Sequence, residues 1–348
     1  MSLEIKKLPK SEVEITGEVE AGEFLKFYKK AVEDLAKEIK VDGFRPGKAP
    51  EQIIVEKLGE GAVLEEAAEL ALSDVYPKII SDKKIEAIGR PKATITKIAK
   101  GDSLGFKFVV SVLPEMKLPD NFKEIALEKL KVKEEAKVSE KELEEAVDYL
   151  RKARKKEGSG ELPELDDEFA RSVGKFENLE HLKKTVSENL QIEKEMNLKE
   201  KKRLEALEEI LKKSEFEIPD ILIDAEKLKM LQELKSSIVN MGLKWEDYLQ
   251  HVNKKEEEIV AGWAEESLRR VRYGLLLRHL GEILPIEILH EEVHKKADEF
   301  GAPHSDEHGI DRKRFEDYAY GIIRNEKIFL ALGEPSSADK KGSPGEQN

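Results

Sequence analysis

The last period-two run of this chain ends at Leu113-Pro114 and only helical spacing follows, a switch that restricts it to a sheet-containing head followed by helices. Before the switch, Phe106, Phe108, Val110 and Val112 occupy alternate positions, the clearest period-two run in the sequence. Val13, Ile15 and Val19 alternate in the same way around Gly17, which predicts another half-buried strand. Phe24, Phe27, Tyr28, Ala31 and Leu35 instead recur at three- and four-residue spacing, a helical stripe that needs a sheet to cover it. Pro50 suits the first turn of a following helix, which Gly59 ends. A further helix over about Val63 to Ser81 and two closing strands complete an α+β domain, expected over residues 1–114.

Beyond the switch, Leu118-Pro119-Asp120 and the charged stretch to Lys137 predict an extended connector. Ser139 with Glu142 three residues on is a capping box, opening a helix through Lys156 that Glu157-Gly158-Ser159-Gly160-Glu161 breaks. Residues 115–160 are therefore expected to be connector and linker helix. From Leu165 onward the spacing is helical. One long helix, about Leu179 to Lys213, carries Leu182, Val186 and Leu190, then Leu204, Leu207 and Leu211, on one face. Phe216-Glu217-Ile218-Pro219 turns into a second, and more follow over about Lys244 to His251, Lys254 to Ile283, Ile288 to Phe300 and Arg312 to Leu332. The expected architecture is an α+β N-terminal domain followed by an extended all-α domain over 161–333, with a polar, disordered tail over 334–348.

Composition agrees with long helices of narrow buried stripe: 39% of residues are charged and only 6% aromatic. A net charge of −13 repels nucleic acid, so any contact with RNA must come through a local basic feature. The absence of cysteine excludes disulfides, thiol nucleophiles and thiolate metal sites. Residues 1–10 alternate charged and apolar side chains and do not read as a signal peptide, and no apolar run is long enough to span a bilayer. The expectation is a cytoplasmic protein with no membrane partner. No phosphate-binding loop is present, so nothing points to ATP, and no cofactor is expected.

One loop does supply a local basic feature. Gly43-Phe44-Arg45-Pro46-Gly47-Lys48-Ala49-Pro50 contains two glycines and two prolines, which defeat both helix and strand. Two readings stay open on physical grounds. Phe44 can be an exposed anchor beside Arg45 and Lys48, aimed at an anionic, RNA-rich partner. Alternatively this is an ordinary helix–helix loop whose Phe44 folds back on the core.

His290-Glu291-Glu292-Val293-His294 matches H-E-x-x-H, the zinc-peptidase pattern of two histidines one turn apart. Charged Glu292 inside the motif, Ala297 where an extended motif needs Gly, and Phe300 where it needs a third His argue against it. His304 and His308 lie nearby in a Gly/Pro-containing loop. A charged, solvent-facing helix start accounts for the pattern, and no metal is expected. Arg151 to Lys156 reads as a solvated helix end rather than an RNA site, and Trp263, Tyr273, Leu276 and Leu280 as interhelical packing.

The loop resembles the ribosome-binding signature of bacterial trigger factors, Gly-Phe-Arg-x-Gly-Lys-x-Pro between two helices of an α+β domain. Gly43, Phe44, Arg45, Gly47, Lys48 and Pro50 all match, with Asp42 before them also typical. Pro46 departs from the family, which often has a third basic residue there. Leu162-Pro163-Glu164-Leu165-Asp166-Asp167-Glu168-Phe169-Ala170, Phe216-Glu217-Ile218-Pro219 and Trp245-Glu246-Asp247-Tyr248-Leu249 resemble landmarks of the family's helical domain. The resemblance spans about Val13 to Leu332.

It implies an ATP-independent chaperone that docks at the ribosomal tunnel exit, on ribosomal protein and rRNA, through Gly43, Phe44, Arg45, Gly47 and Lys48. It implies unfolded nascent polypeptides as clients, held on a diffuse apolar surface of the helical domain, and it leaves room for a weak homodimer. Trigger factors ordinarily carry a prolyl-isomerase domain before the Leu-Pro-Glu-Leu stretch. Here only Lys155 to Glu161 stands in its place, too short to fold as a domain, so no isomerase activity and no catalytic residues are expected. The alternatives are a ribosome-independent holdase or assembly factor on the same scaffold or, by family resemblance only, a peptidyl-prolyl isomerase.

Overall fold

The computed structural model describes residues 3–131, 136–154, 162–302 and 312–334. Strands β1 (Leu3–Leu8) and β2 (Glu12–Val19) form a hairpin, and helix α1 (Ala21–Glu38) follows. Helices α2 (Glu51–Leu58) and α3 (Glu60–Asp82) lead into strands β3 (Ala87–Lys97) and β4 (Leu104–Val112). The rest is helical: α4 (Phe122–Leu130), α5 (Glu140–Ala153), α6 (Asp167–Val173), α7 (Leu179–Lys212), α8 (Asp220–Asn240), α9 (Trp245–Val252), α10 (Glu256–Ala261), α11 (Ala264–Ile283), α12 (His290–Glu299) and α13 (Arg312–Ala331).

These elements gather into two compact units, each discontinuous in sequence. One comprises residues 1–117 and 215–272, the other 118–214 and 273–348. The chain thus leaves the first unit at Lys117 and re-enters it at Glu215, where the two residues pair as an antiparallel bridge.

In the first unit the sheet is antiparallel throughout, in the order β1-β2-β4-β3. Its β2–β4 register sets Val13, Ile15, Gly17 and Val19 opposite Val110, Phe108, Phe106 and Leu104, so both period-two runs share one face. That face is buried, and α1 and α3 pack together over the same core. Gly17, which interrupts the β2 pattern, is the residue opposite the fully buried Phe106 ring. Phe106 and Phe108 lie 4.9 Å apart, and Tyr76 of α3 meets Phe108 edge-on at 5.1 Å. Burying a side chain of this size contributes about 1.5–3 kcal/mol, and these rings anchor the domain. Of the helical stripe, Phe24, Tyr28 and Ala31 are buried, while Phe27 and Leu35 are only partly covered. Pro50 sits at the N-cap of α2, one residue before the first turn, and Gly59 ends the helix at φ +85°.

The first unit also contains α8, α9 and α10. Pro219 caps α8, as the Phe216-Glu217-Ile218-Pro219 turn predicted. Trp245 joins three helices: its indole donates to Glu256 at 2.9 Å, and Lys235 of α8 lies 5.2 Å from its ring while pairing with Glu256 at 2.8 Å. The helix expected over Lys254 to Ile283 is broken at Gly262-Trp263 into α10 and α11, and α11 gives its residues through Arg272 to this unit.

In the second unit Val147, Phe169, Ala170 and Leu182 knit α5, α6 and α7 together. The Ser139–Glu142 capping box is formed, although α5 ends at Ala153. The stretch expected to be an extended connector contains α4, whose Ile125, Ala126 and Leu130 are buried and which packs on α7. Helix burial of that stripe outweighs the high local charge that disguised it. Leu276 and Leu280 of α11 are fully buried, as their spacing predicted. Val293, Ala297, Ala319 and Ile323 hold α12 against α13. Leu204 departs from its predicted face: it is 47% exposed, whereas Leu207 and Leu211 of α7 are buried. The stretch 155–161 and the tail beyond Glu334 lie outside the described residues.

Candidate functional site

The loop between α1 and α2 is positioned by its two ends. Helix α1 ends at Glu38, and Pro50 fixes the start of α2. Between them the chain turns twice, each turn at a glycine in the left-handed region, Gly43 at φ +83° and Gly47 at +77°. Residues with a Cβ reach that region only at a cost, which explains both glycines. Phe44 N–H donates to Val41 C=O at 3.1 Å, and Lys48 N–H to Arg45 C=O at 3.0 Å, so each turn closes on itself. Gly47 N–H donates to Ala36 C=O at 2.7 Å and ties the loop to α1. A Cβ on Gly47 would stand 3.2 Å from Lys37 Cγ, so the Lys37 side chain would have to give way by a few tenths of an ångström as well.

That frame leaves the tip in solvent. Phe44 is 42% exposed, and Asp42, Gly43, Arg45, Pro46 and Lys48 are exposed beside it. Gly47 alone of the five predicted docking residues is partly covered. Among the described residues neither Arg45 nor Lys48 has an ion-pair partner, whereas nearby Lys37 pairs with Asp34 and Lys100 with Glu51. Of the two readings of the loop, the fold-back of Phe44 into its own core is not the one the structure adopts.

Sequence reasoning missed the braces beneath the tip. Lys57 Nζ donates to the carbonyl of Lys40 and clamps α2 to the start of the loop. Lys100, from the turn before β4, pairs with Glu51 at 2.9 Å and lies 4.9 Å from the Tyr28 ring centroid. Glu51, then the Tyr28 hydroxyl, holds the Lys100 ammonium above the usual lysine range. These are contacts across 17 to 72 residues of sequence, and no local motif announces them.

Apolar side chains are also left uncovered on the helices. In the first unit, Leu228, Val239, Met241 and Leu243 are exposed, Met241 by 72%. In the second, Tyr149, Ile192 and Met196 are exposed, Met196 by 63%. The exposed Leu204 lines an open cleft of about 340 Å³ with Leu207, Tyr273, Leu277, Ile322 and Phe329, rimmed by Arg203 and Glu326.

The H-E-x-x-H stretch forms the N-terminal half of α12, with the His290 and His294 rings 6.4 Å apart. His294 Nδ1 is 2.9 Å from Glu316, and that carboxylate also accepts from Arg312 at 2.8 Å. Arg312, and less so His294, holds the Glu316 carboxyl below its ordinary range. Glu292 pairs with Lys327, and Val293 is buried. Among the described residues no three His, Cys, Asp or Glu side chains converge to hold a metal ion. His304 and His308 lie outside the described residues. No helix among the described residues is long and apolar enough to cross a membrane.

Comparison with known proteins agrees over both regions. Residues 1–150 match the family model for the bacterial trigger factor protein, and residues 178–306 match the model for the bacterial trigger factor C-terminus. A curated trigger factor from Caldicellulosiruptor bescii is 25% identical over 422 aligned positions, covering 94% of this chain and 95% of the relative. One from Clostridium botulinum is 25% identical over 420 positions, covering 95% and 96%. The first alignment is longer than the 348-residue chain, so at least 74 of its positions (422 minus 348) carry a residue only in the relative. A solved structure of the trigger factor chaperone, from work on promiscuous substrate recognition in folding and assembly, superposes with a TM-score of 0.54 at 19% identity. It covers 96% of this chain and 100% of that one.

Proposed function

The chain belongs to the bacterial trigger factor family, and from that premise we propose that it is an ATP-independent chaperone that docks on ribosomes through the Phe44 loop. Family membership supports the chaperone role itself. One observation carries the docking: a tip framed by backbone hydrogen bonds offers a half-exposed aromatic ring beside two cations that form no ion pair among the described residues. Phe44 supplies area to be desolvated, and Arg45 and Lys48 supply charge for rRNA phosphate or an acidic protein surface. Gly43 and Gly47 shape the turn that presents them. On a molecule of net charge −13, a local cationic tip helps orient the encounter.

Client holding would fall to the uncovered side chains of the helices. Each offers an apolar contact of about 1 kcal/mol or less, enough collectively to retain an unfolded segment and weak enough to release it on folding. Docking would raise the effective concentration of chaperone where nascent chains emerge. The loss of prolyl-isomerase activity belongs to the same reading, supported by the short interval between the two matched segments, residues 150 and 178. Proline-limited refolding of a test protein should proceed at its uncatalysed rate with this protein present.

Cosedimentation with ribosomes tests the docking. Wild-type protein should pellet with ribosomes, and Phe44→Ala/Arg45→Ala should stay in the supernatant while remaining folded. Equal pelleting of both would overturn the assignment. Pro46, where the family often has a further basic residue, is the feature that favours the ribosome-independent alternative, and that alternative predicts no pelleting of either protein.

A further inference from the structure

The three-residue turn Pro9–Ser11 joins β1 to β2 with two consecutive residues in the left-handed region, Lys10 at φ +60° and Ser11 at +51°. Neither is glycine, asparagine or aspartate, the residues that tolerate this conformation, so the turn stores backbone strain. Strain of this kind persists only where surrounding contacts impose it. Here they come from a segment two hundred residues away in sequence. Glu217 accepts from the Lys10 backbone N–H, and Ser11 Oγ donates to Glu217 C=O at 2.8 Å. Lys10 Nζ pairs with Asp220, the first residue of α8, at 2.7 Å. Within the sheet, Val112 N–H donates to Ser11 C=O at 2.8 Å.

The same segment is seated at two further points. Lys117 and Glu215 exchange backbone hydrogen bonds at 3.0 and 3.1 Å. Ile221 lies against Gly89 of β3 so closely that a Cβ there would stand 2.4 Å from Ile221 Cδ1, and Gly89 is itself at φ +73°. The base of α8 is therefore fitted to the sheet at its hairpin turn, at a strand glycine and at the chain exit. The polar part of this fit is exposed: the Lys10 and Asp220 side chains are each more than half accessible, so water and salt reach it.

We propose that the Pro9–Ser11 turn and residues 215–221 form a strain-loaded clasp, in which the segment that begins α8, the arm, holds the turn in its left-handed form and the turn in return holds the arm. Opening relaxes the turn, which offsets part of the contacts given up, so the joint is biased toward release compared with one that makes the same contacts from a relaxed turn. The arm base is then a joint that opens while the sheet core, sealed by Phe106 and Phe108, stays intact. This does not depend on ribosome docking.

Hydrogen exchange on the full chain tests it with two variants. Glu217→Gln/Asp220→Asn removes the clasp's carboxylates. Lys10→Asn/Ser11→Gly relaxes the turn, since Asn-Gly adopts the left-handed form readily. In the carboxylate variant, amides of Leu3–Leu8 and of Lys10 should exchange about tenfold faster, the factor expected when two charge-assisted hydrogen bonds are each weakened by loss of the carboxylate charge. Combining both variants should return Leu3–Leu8 to near wild-type protection while Lys117 and Glu215 stay fast. The relaxed turn alone should leave Leu3–Leu8 protected and speed Lys117 and Glu215, because Lys10 and Ser11 no longer grip the arm. Unchanged exchange of Leu3–Leu8 in the carboxylate variant would overturn the proposal. So would unchanged exchange of Lys117 and Glu215 in the relaxed turn alone.

Discussion

The backbone N–H of Gly47 donates to the carbonyl of Ala36 at 2.7 Å, which bends the cationic loop back onto the last turns of α1. Two separate obstacles meet any side chain placed there, a φ of +77° and the Lys37 Cγ 3.2 Å from the position of a Cβ. Gly47→Ala should lower stability by about 1–2 kcal/mol. Gly43→Ala, with an equally positive φ but open space around it, should cost only the backbone part. Urea midpoints of the two variants give the comparison, and equal losses would contradict the steric share assigned to Lys37.

Salt should separate the roles of the ring and the cations. Ribosome affinity should fall as ionic strength rises from about 50 to 200 mM, and Lys48→Ala should make that dependence shallower by about one unit of log K against log salt. Phe44→Ala should weaken binding with the slope unchanged, because a ring displaces water and no counterions. A slope that Lys48→Ala leaves as it was would mean that Lys48 does not meet the ribosome.

Arg203 and Glu334 form a two-pronged pair at 2.8 Å on each arm, with Lys199 at 3.2 Å and the Arg203 guanidinium 4.6 Å from the Phe329 ring. Glu334 is 8% exposed. Removing one partner leaves the other charge to a more exposed second partner, Lys199 for Glu334 and Glu200 for Arg203, so Glu334→Ala and Arg203→Met should each cost about 1–3 kcal/mol. Replacing both with methionine should cost less than the sum, because no charge is left behind. Chemical denaturation of the two singles and the double closes the cycle. Strict additivity would rule out the coupling.

Acid should loosen the cap of α5. Lys194 at 2.7 Å, then the backbone and hydroxyl of Ser139, holds the Glu142 carboxyl down at about 2, against an ordinary value of 4.5. A carboxylate with a depressed folded value contributes stability that is complete above the unfolded value and is lost as pH falls through the folded one. The cap should therefore persist at neutral pH and loosen between about pH 4.5 and 2, seen as faster exchange of the first α5 amides. Glu142→Gln should remove that acid step. A Glu142 carbon resonance titrating near its ordinary value would contradict the capping geometry.

Much of the head was legible because its information is local. Alternation alone placed Val13, Ile15, Phe106 and Phe108 on one buried face, and Gly43, Pro46, Gly47 and Pro50 marked the loop. Strand β1 was not foreseen, since as an edge strand it buries little and its Lys and Glu residues look like ordinary surface. Helix α4 hid for the opposite reason: its buried stripe of Ile125, Ala126 and Leu130 is short and set among charges. Gly262 was too weak a signal to reveal the break between α10 and α11. Leu204 keeps helical register with Leu207 and Leu211 yet is 47% exposed, a difference that depends on where Ile322 and Phe329 arrive from α13. The braces Lys57–Lys40 and Lys100–Glu51 are equally non-local.

The return of the chain at Glu215 to a unit it left at Lys117 has a consequence for biogenesis. The rings that seal the sheet are all translated by Phe108, so the head can close its apolar core while the remainder is still in the tunnel. Its hairpin turn, however, meets Glu217 and Asp220 only about a hundred codons later, and must wait in a relaxed form until then. A protein whose family tends newborn polypeptides thus passes through an unfinished state of its own, with a basic tip already shaped and its arm not yet fastened.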